Sequence, residues 1–343
     1  LIDGVIWGRG AIDMLGLTAA FAVVTKHIAD SGISLAGDLI FAAVADEEAG
    51  GVYGAGWLAA HRPELITADY SLTENGGIVL SDAEKPGITI TVGEKGGAPR
   101  TLTVLGKPGH GSVPWRSANA AALAAEIVSR IAQSPGEPLL LEHWIEFVKA
   151  SQFDAALTER LLDPATVNEA INELGPMAGY AHAITHMTVS PNTLHAGDKR
   201  NVIPGLATIG LDVRLLPGQG AADVDRYLSE TLGELMSAVT VTDDFTGSAS
   251  ASPPRTPFYL AIENAVGEHY PGAHLVPMVM PGGTDGRHLR LLGSTTYGFG
   301  LFSTGWDMAT FRSVFHGRDE RVDVESLRLT TETLHTSLTN FLR

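Results

Sequence analysis

Leu39 to Ala45 is an uninterrupted apolar run that ends directly in Asp46-Glu47-Glu48. A run of that length predicts a strand buried on both faces, and the acids at its end fall where such strands open into a cleft. Before it, Met14 to Ala29 is Ala-rich with apolar residues at helical spacing. After it come a predicted helix beyond Gly54 and a second strand, Ala68 to Leu72, ending at Glu74-Asn75-Gly76-Gly77. Strands alternating with helices predict an α/β fold with a mostly parallel central sheet, whose sites form at the carboxyl ends of its strands.

Beyond Gly93-Glu94-Lys95-Gly96-Gly97 the pattern changes. Thr101 to Leu105 predicts a strand, and Ala118 to Ala132 a helix with Leu123, Ile127 and Ile131 on one face. Ile209, Leu211, Val213 and Leu215 alternate with polar or small residues, as a half-buried antiparallel strand does, and stop at Pro217-Gly218. Val224, Leu228, Leu232 and Leu235 mark an amphipathic helix, and Gly247 to Pro257 reads as a linker. Two domains follow, as expected of 343 residues. Residues 1–96 and 247–343 form a discontinuous catalytic domain, interrupted by an α+β lid over 97–246.

A net charge of -16 with no Lys/Arg run repels phosphate, which argues against nucleic acid or an anionic membrane surface as partner. No apolar stretch approaches the roughly 20 residues needed to span a bilayer. With no cysteine, any metal must be held by His and carboxylates. A cytoplasmic location is the expectation.

Acids and histidines stand at several segment ends: Asp13 before a helix, Glu47 and Glu48 after a strand, Glu74 after another, and His316 late in the chain. Alone, Asp13 reads equally as a helix cap, the acid pair as a solvated turn, and His316 as one of twelve histidines. Together the segments GRGAIDM (8–14), DEEAGG (46–51), TENGG (73–77), GHGS (109–112), NVIPG (201–205), GGTDGR (282–287) and FHGRDERV (315–322) form an ordered set. In order and spacing it resembles the aminoacylase, carboxypeptidase and desuccinylase superfamily of two-zinc hydrolases.

The resemblance implies two zinc ions per chain, with Asp13 bridging them, Glu48 and His316 completing one site and Glu74 belonging to the other. A bridging carboxylate offsets the repulsion of two cations about 3.5–4 Å apart. Glu47 is then the general base, and His110 the oxyanion stabiliser reaching from the lid of one subunit into its partner, which implies a homodimer. Arg287 holds a substrate carboxylate by bidentate bonding, with Gly283 and Thr284 beside it and Asn201 contributing from the lid. His182, His186 and His195 receive structural or solvent roles.

The expected activity is hydrolysis of an amide or peptide bond in a small carboxylate-bearing substrate, such as a small peptide. The alternative is deacylation of an N-acyl amino acid, and a third reading is a catalytically incomplete dimerisation or binding module. Relatives carry a His-x-Asp motif a few dozen residues before the bridging aspartate. No histidine precedes Asp13 here, so the expectation is a fragment whose N-terminal part, with that zinc ligand, is missing.

Overall fold

The computed structural model describes residues 1–80, 84–244 and 247–343. They divide into two compact units: Leu1–Gly93 with Leu141–Asp163 and Ala251–Arg343, and Glu94–Leu140 with Pro164–Ser250.

The first unit is built on a six-stranded sheet that includes Tyr70–Thr73, Gly76–Val79, Gly87–Glu94, His274–Met280 and Thr295–Gly298. Ile88, Ile90, Val92, Tyr297 and Phe299 pack against Phe258, Ile262 and Val266 of helix Pro257–His269 and Leu329 of helix Val324–Phe341. Helix Leu15–Ser31 adds a further layer, setting Ala20, Val24 and Ile28 against Leu334. Removing these side chains from water stabilises each by about 1.5–3 kcal/mol.

The α/β class stands, but the sheet is mixed. Thr295–Gly298 runs parallel to Tyr70–Thr73, whereas Gly298 pairs antiparallel with Thr91 and Gly76–Val79 pairs antiparallel with Gly87–Glu94. The connection between those last two strands is too short for the crossover that parallel pairing needs. The expected buried strand at Leu39 to Ala45 does not form. Ile40, Phe41 and Val44 are exposed by 48%, 39% and 38%, and no other segment pairs with this run among the described residues. Apolar composition raises strand propensity, but a strand exists only beside a hydrogen-bonding neighbour.

The second unit is the α+β module. Leu206–Leu215 pairs antiparallel with Arg100–Leu105 and Thr188–Ala196, and Arg100–Leu105 pairs antiparallel with Val239–Asp243. Its alternating residues Ile209, Leu211, Val213 and Leu215 are buried against Ile127 and Ile131 of helix Ala120–Ala132 and Val224 and Leu228 of helix Ala221–Leu232. Asn119 caps the first of these helices through the N–H of Ala121.

The inserted module is not continuous over 97–246, because Leu141–Asp163 belongs to the first unit. There helix Glu142–Ala150 buries Trp144, Phe147 and Val148, and Trp144 Nε1 donates to Leu161 O at 2.7 Å. The apolar face of that helix is visible in the sequence, but which core receives it is decided by packing. The expected boundary at 246 lies outside the described residues. No helix among those residues is long and apolar enough to cross a membrane.

Candidate metal centre and active site

The two ends of the sequence meet through a short ladder. Val5–Trp7 pairs antiparallel with Arg321–Asp323, and Gly8 N donates to Glu320 O at 2.9 Å. The loop before Asp13 and the loop after His316 therefore lie side by side. Glu320, only 4% exposed, ties them together. Its Oε1 accepts from the backbone N–H groups of Ile12 and Asp13, and its Oε2 accepts from Arg9 Nη1 at 2.6 Å. Arg9 Nη2 in turn donates to Gly317 O at 3.0 Å.

This framing brings His316 Nε2 to 2.7 Å from Asp13 Oδ2 and 3.4 Å from Glu48 Oε2. One ligand atom from each of Asp13, Glu48 and His316 lies within 4.8 Å of the others, the one such group of His, Cys, Asp or Glu among the described residues. Asp13 does not cap the helix that follows, since the N-cap is Met14 and makes no side-chain bond.

Glu47 and Glu48 ride on a single 3-10 turn, Glu47–Ala49, bounded by left-handed residues at Asp46, Gly50 and Gly51. Tyr53 N donates to Asp46 Oδ2 at 2.9 Å and closes the turn. Being adjacent on it, the two acids diverge: Glu48 faces His316, while Glu47 lies near Asp285 and Arg287. Burial, then the negative charges of Asp285, Glu48 and Asp13, push the Glu47 carboxyl up to about 7, against the opposing pull of Arg287.

Glu74 ends strand Tyr70–Thr73 and is buried. Burial, a hydrogen bond with Asp13 and the charges of Glu47, Asp13 and Glu48 push its carboxyl up to about 10. Asp46, Asn75 and His316 all have positive φ, a conformation that costs about 1–3 kcal/mol in a non-glycine residue and gathers at functional sites. Carboxylates crowded this closely, with an imidazole nitrogen 2.7 Å from Asp13 Oδ2, suit a divalent cation. The donor set is the oxygen and nitrogen set that zinc accepts.

Arg287 Nη2 donates to Gly50 O at 2.7 Å, so the guanidinium sits over the turn that carries the two acids. Burial, then Asp46, push neighbouring Asp285 up to about 6, although Arg287 pulls it down. Gly283 is exposed. Thr284 is 2% exposed, and its hydroxyl accepts from Gly286 N at 3.0 Å.

His110 and Asn201 lie in the second unit. Gly109–His110 pairs with Val202–Ile203, and Gly111 N donates to Asn201 O at 2.7 Å, which joins two motifs far apart in sequence. His110 is exposed, and its Nδ1 accepts from Ser112 N at 3.2 Å with Ser112 Oγ at 2.7 Å. An accepting Nδ1 puts the proton of the neutral ring on Nε2, which leaves an outward donor. His182 and His186 stack on each other at 4.2 Å, in keeping with structural roles.

Glu320 and Arg9 were not singled out from the sequence, although both fall inside the ordered motifs. A buried acid cannot be told from a surface acid in a linear string, and the one available signal was a carboxylate four residues after His316.

A family description, peptidase family M20/M25/M40, matches residues 1–340. The chain is 24% identical over 335 residues to probable carboxypeptidase S-like 2 of Dictyostelium discoideum, covering 95% of this chain and 63% of that protein. It is 24% identical over 342 residues to the N-fatty-acyl-amino acid synthase/hydrolase PM20D1 of Xenopus tropicalis, covering 95% of this chain and 64% of that one. It thus spans less than two thirds of the length of these relatives. Among solved structures, the M20 family metallo-carboxypeptidase Sso-CP2 of Sulfolobus solfataricus matches with a TM-score of 0.65 at 18% identity, covering 99% of this chain and 78% of that one. With the match running almost from end to end, and with acids and an imidazole gathered as a metallopeptidase needs them, the chain belongs to peptidase family M20/M25/M40.

Proposed function

We propose that the protein hydrolyses an amide or peptide bond in a small substrate bearing a free carboxylate, at a divalent-metal centre. The convergence of Asp13, Glu48 and His316 carries the reading. Asp13, Glu48 and His316 would hold one ion, and Asp13 with Glu74 would contribute to a second, two zinc ions per chain in the whole protein. Bound there, such ions polarise a scissile carbonyl and make a water nucleophilic near neutral pH.

Glu47 takes the proton of the attacking water on its carboxylate and returns it to the leaving nitrogen. Its half-buried place beside Asp285 and Arg287, on the same turn as Glu48, suits that role. Arg287 orients the substrate through its carboxylate, using the guanidinium face left by its bond to Gly50 O. In the homodimer, His110 of one subunit donates from Nε2 to the oxyanion that develops in its partner's site, and Asn201, beside the same ladder, contributes from the lid.

In this reading the second unit also forms a homodimer, and the protein is cytoplasmic. The outer residues of strand Thr188–Ala196 are exposed along an edge of its sheet, in keeping with a lateral partner. Sedimentation of the whole protein tests the dimer.

The second reading is deacylation of an N-acyl amino acid. The similarity to an N-fatty-acyl-amino acid hydrolase over 95% of this chain favours it. Zinc-loaded protein assayed against dipeptides and N-acyl amino acids in parallel separates the two. Hydrolysis of neither class by protein holding its metal would sink both.

A further inference from the structure

The turn that carries Glu47 and Glu48 is closed by Gly51 N donating to Asp46 O at 2.7 Å and Tyr53 N to Asp46 Oδ2 at 2.9 Å, but a three-residue 3-10 turn is too short to be stable alone. Further support comes from the segment Asp285–His288. Arg287 Nη2 donates to Gly50 O at 2.7 Å, and Arg287 Nε donates to His288 Nε2 at 3.4 Å. The ring lies in a slot that exists because two residues lack side chains. A Cβ on Gly51 would sit 3.2 Å from His288 Nε2, and one on Gly56 would sit 3.0 Å from His288 Cε1. Asp285 Oδ1 closes the slot, lying only 2.2 Å from where a Cβ on Gly51 would be.

Arg287 thus holds the carbonyl two residues past Glu48 that ends the turn, and His288 backs the guanidinium that makes the bond. His288 has a short, planar side chain wedged between two glycines, which makes it the rigid half of the pair. Groups that hold a metal ligand without touching the metal commonly change affinity by about 10–100-fold when removed.

We propose that His288 is a positioning residue that locks the Glu47–Ala49 turn, so that Glu48 is set for metal ligation and Glu47 for proton transfer. The proposal rests on the metal-centre reading above. It assigns no contact between His288 and substrate or metal.

The test uses cobalt(II) titration of the protein, followed by the visible spectrum of the bound ion, alongside amide hydrolysis and thermal unfolding of metal-free protein. His288→Ala is expected to weaken cobalt binding about tenfold or more. It should also lower kcat with little change in KM, while the unfolding temperature of the metal-free protein stays within a few degrees of wild type. His288→Gln, whose side-chain amide can still accept from Arg287, is expected to recover most of the affinity. His288→Phe fills the slot with a ring that carries no nitrogen and is expected to weaken cobalt binding, which covers the case of an unfolded His288→Ala. Wild-type cobalt affinity and spectrum in both His288→Ala and His288→Phe would overturn the proposal. Wild-type protein that binds no cobalt overturns the metal-centre reading and the proposal built on it. Cobalt binding that depends on His288 without any hydrolysis would overturn the catalytic reading alone.

Discussion

Glu320 accepts a hydrogen bond from the backbone N–H of Asp13 at 3.3 Å, although 307 positions separate them. The same carboxylate takes the N–H of Ile12 and the guanidinium of Arg9. One buried acid thus sets the approach of the loop bearing Asp13 to the loop bearing His316. Glu320→Ala leaves two backbone donors without their acceptor, at a cost of about 1–3 kcal/mol for each that stays buried. The expected result is a lower unfolding temperature and weaker zinc binding. Glu320→Gln keeps an acceptor oxygen and should fall between Ala and wild type, because the lost charge faces an Arg9 side chain that is 67% exposed and so weakly coupled. Calorimetric unfolding with zinc titration of the three proteins checks this order.

Glu47 and Glu48 should separate by phenotype. Glu47→Gln is expected to retain bound metal and lose about 10²–10⁴-fold in kcat, the range for removing a general acid–base group. Glu48→Gln is expected to lose metal first. Metal content by elemental analysis, measured on the same samples as kcat, decides. Full turnover in Glu47→Gln would remove the proposed base.

The second unit should carry its own acid sensitivity. His186 is fully buried, and burial followed by the charge of His182 pushes its imidazole from 6.5 down to about 4. Between those values the unfolded chain binds the proton and the folded chain does not, so stability rises with pH across the window. The contribution is complete above pH 6.5, declines as pH falls, and is gone below about 4. His186→Leu has no proton to bind and should flatten this part of the curve. Denaturant unfolding at intervals from pH 7 to 4 measures the slope, and identical slopes in the two proteins would contradict the assignment.

Gly298 is expected to tolerate no side chain. A Cβ there would lie 1.8 Å from the carbonyl oxygen of Glu74, a backbone atom that cannot move without taking that proposed metal-site acid with it. Gly298→Ala should therefore cost more than about 4 kcal/mol, or abolish soluble expression. Circular dichroism melting of any soluble variant gives the answer.

Much of this arrangement was legible in the sequence. The helical spacing after Met14 and the alternation from Thr208 to Leu215 became helix Leu15–Ser31 and strand Leu206–Leu215. Asp13, Glu48 and His316 were named from motif order and do converge. Local signals succeed where a segment's own pattern decides its state. They fail where the deciding partner is remote. Leu39 to Ala45 has a strand's composition and no neighbour to pair with among the described residues, and helix Glu142–Ala150 joins the first unit because Trp144 and Phe147 find their packing there. Glu320 was invisible for the same reason, since it acts on backbone groups supplied by a distant stretch of chain.

The ladder between Val5–Trp7 and Arg321–Asp323 sets an order of events in synthesis. A nascent chain released only as far as residue 314 already carries Asp13, Glu47, Glu48 and Glu74, four acids with mutual repulsion and no imidazole to complete their ligand set. His316, which would close the set, follows Asp13 by about 300 positions, and contacts this distant in sequence are slow to form. The candidate metal centre is therefore expected among the later features of the first unit to assemble, and chain intermediates that lack the ladder would be the species most exposed to chelators.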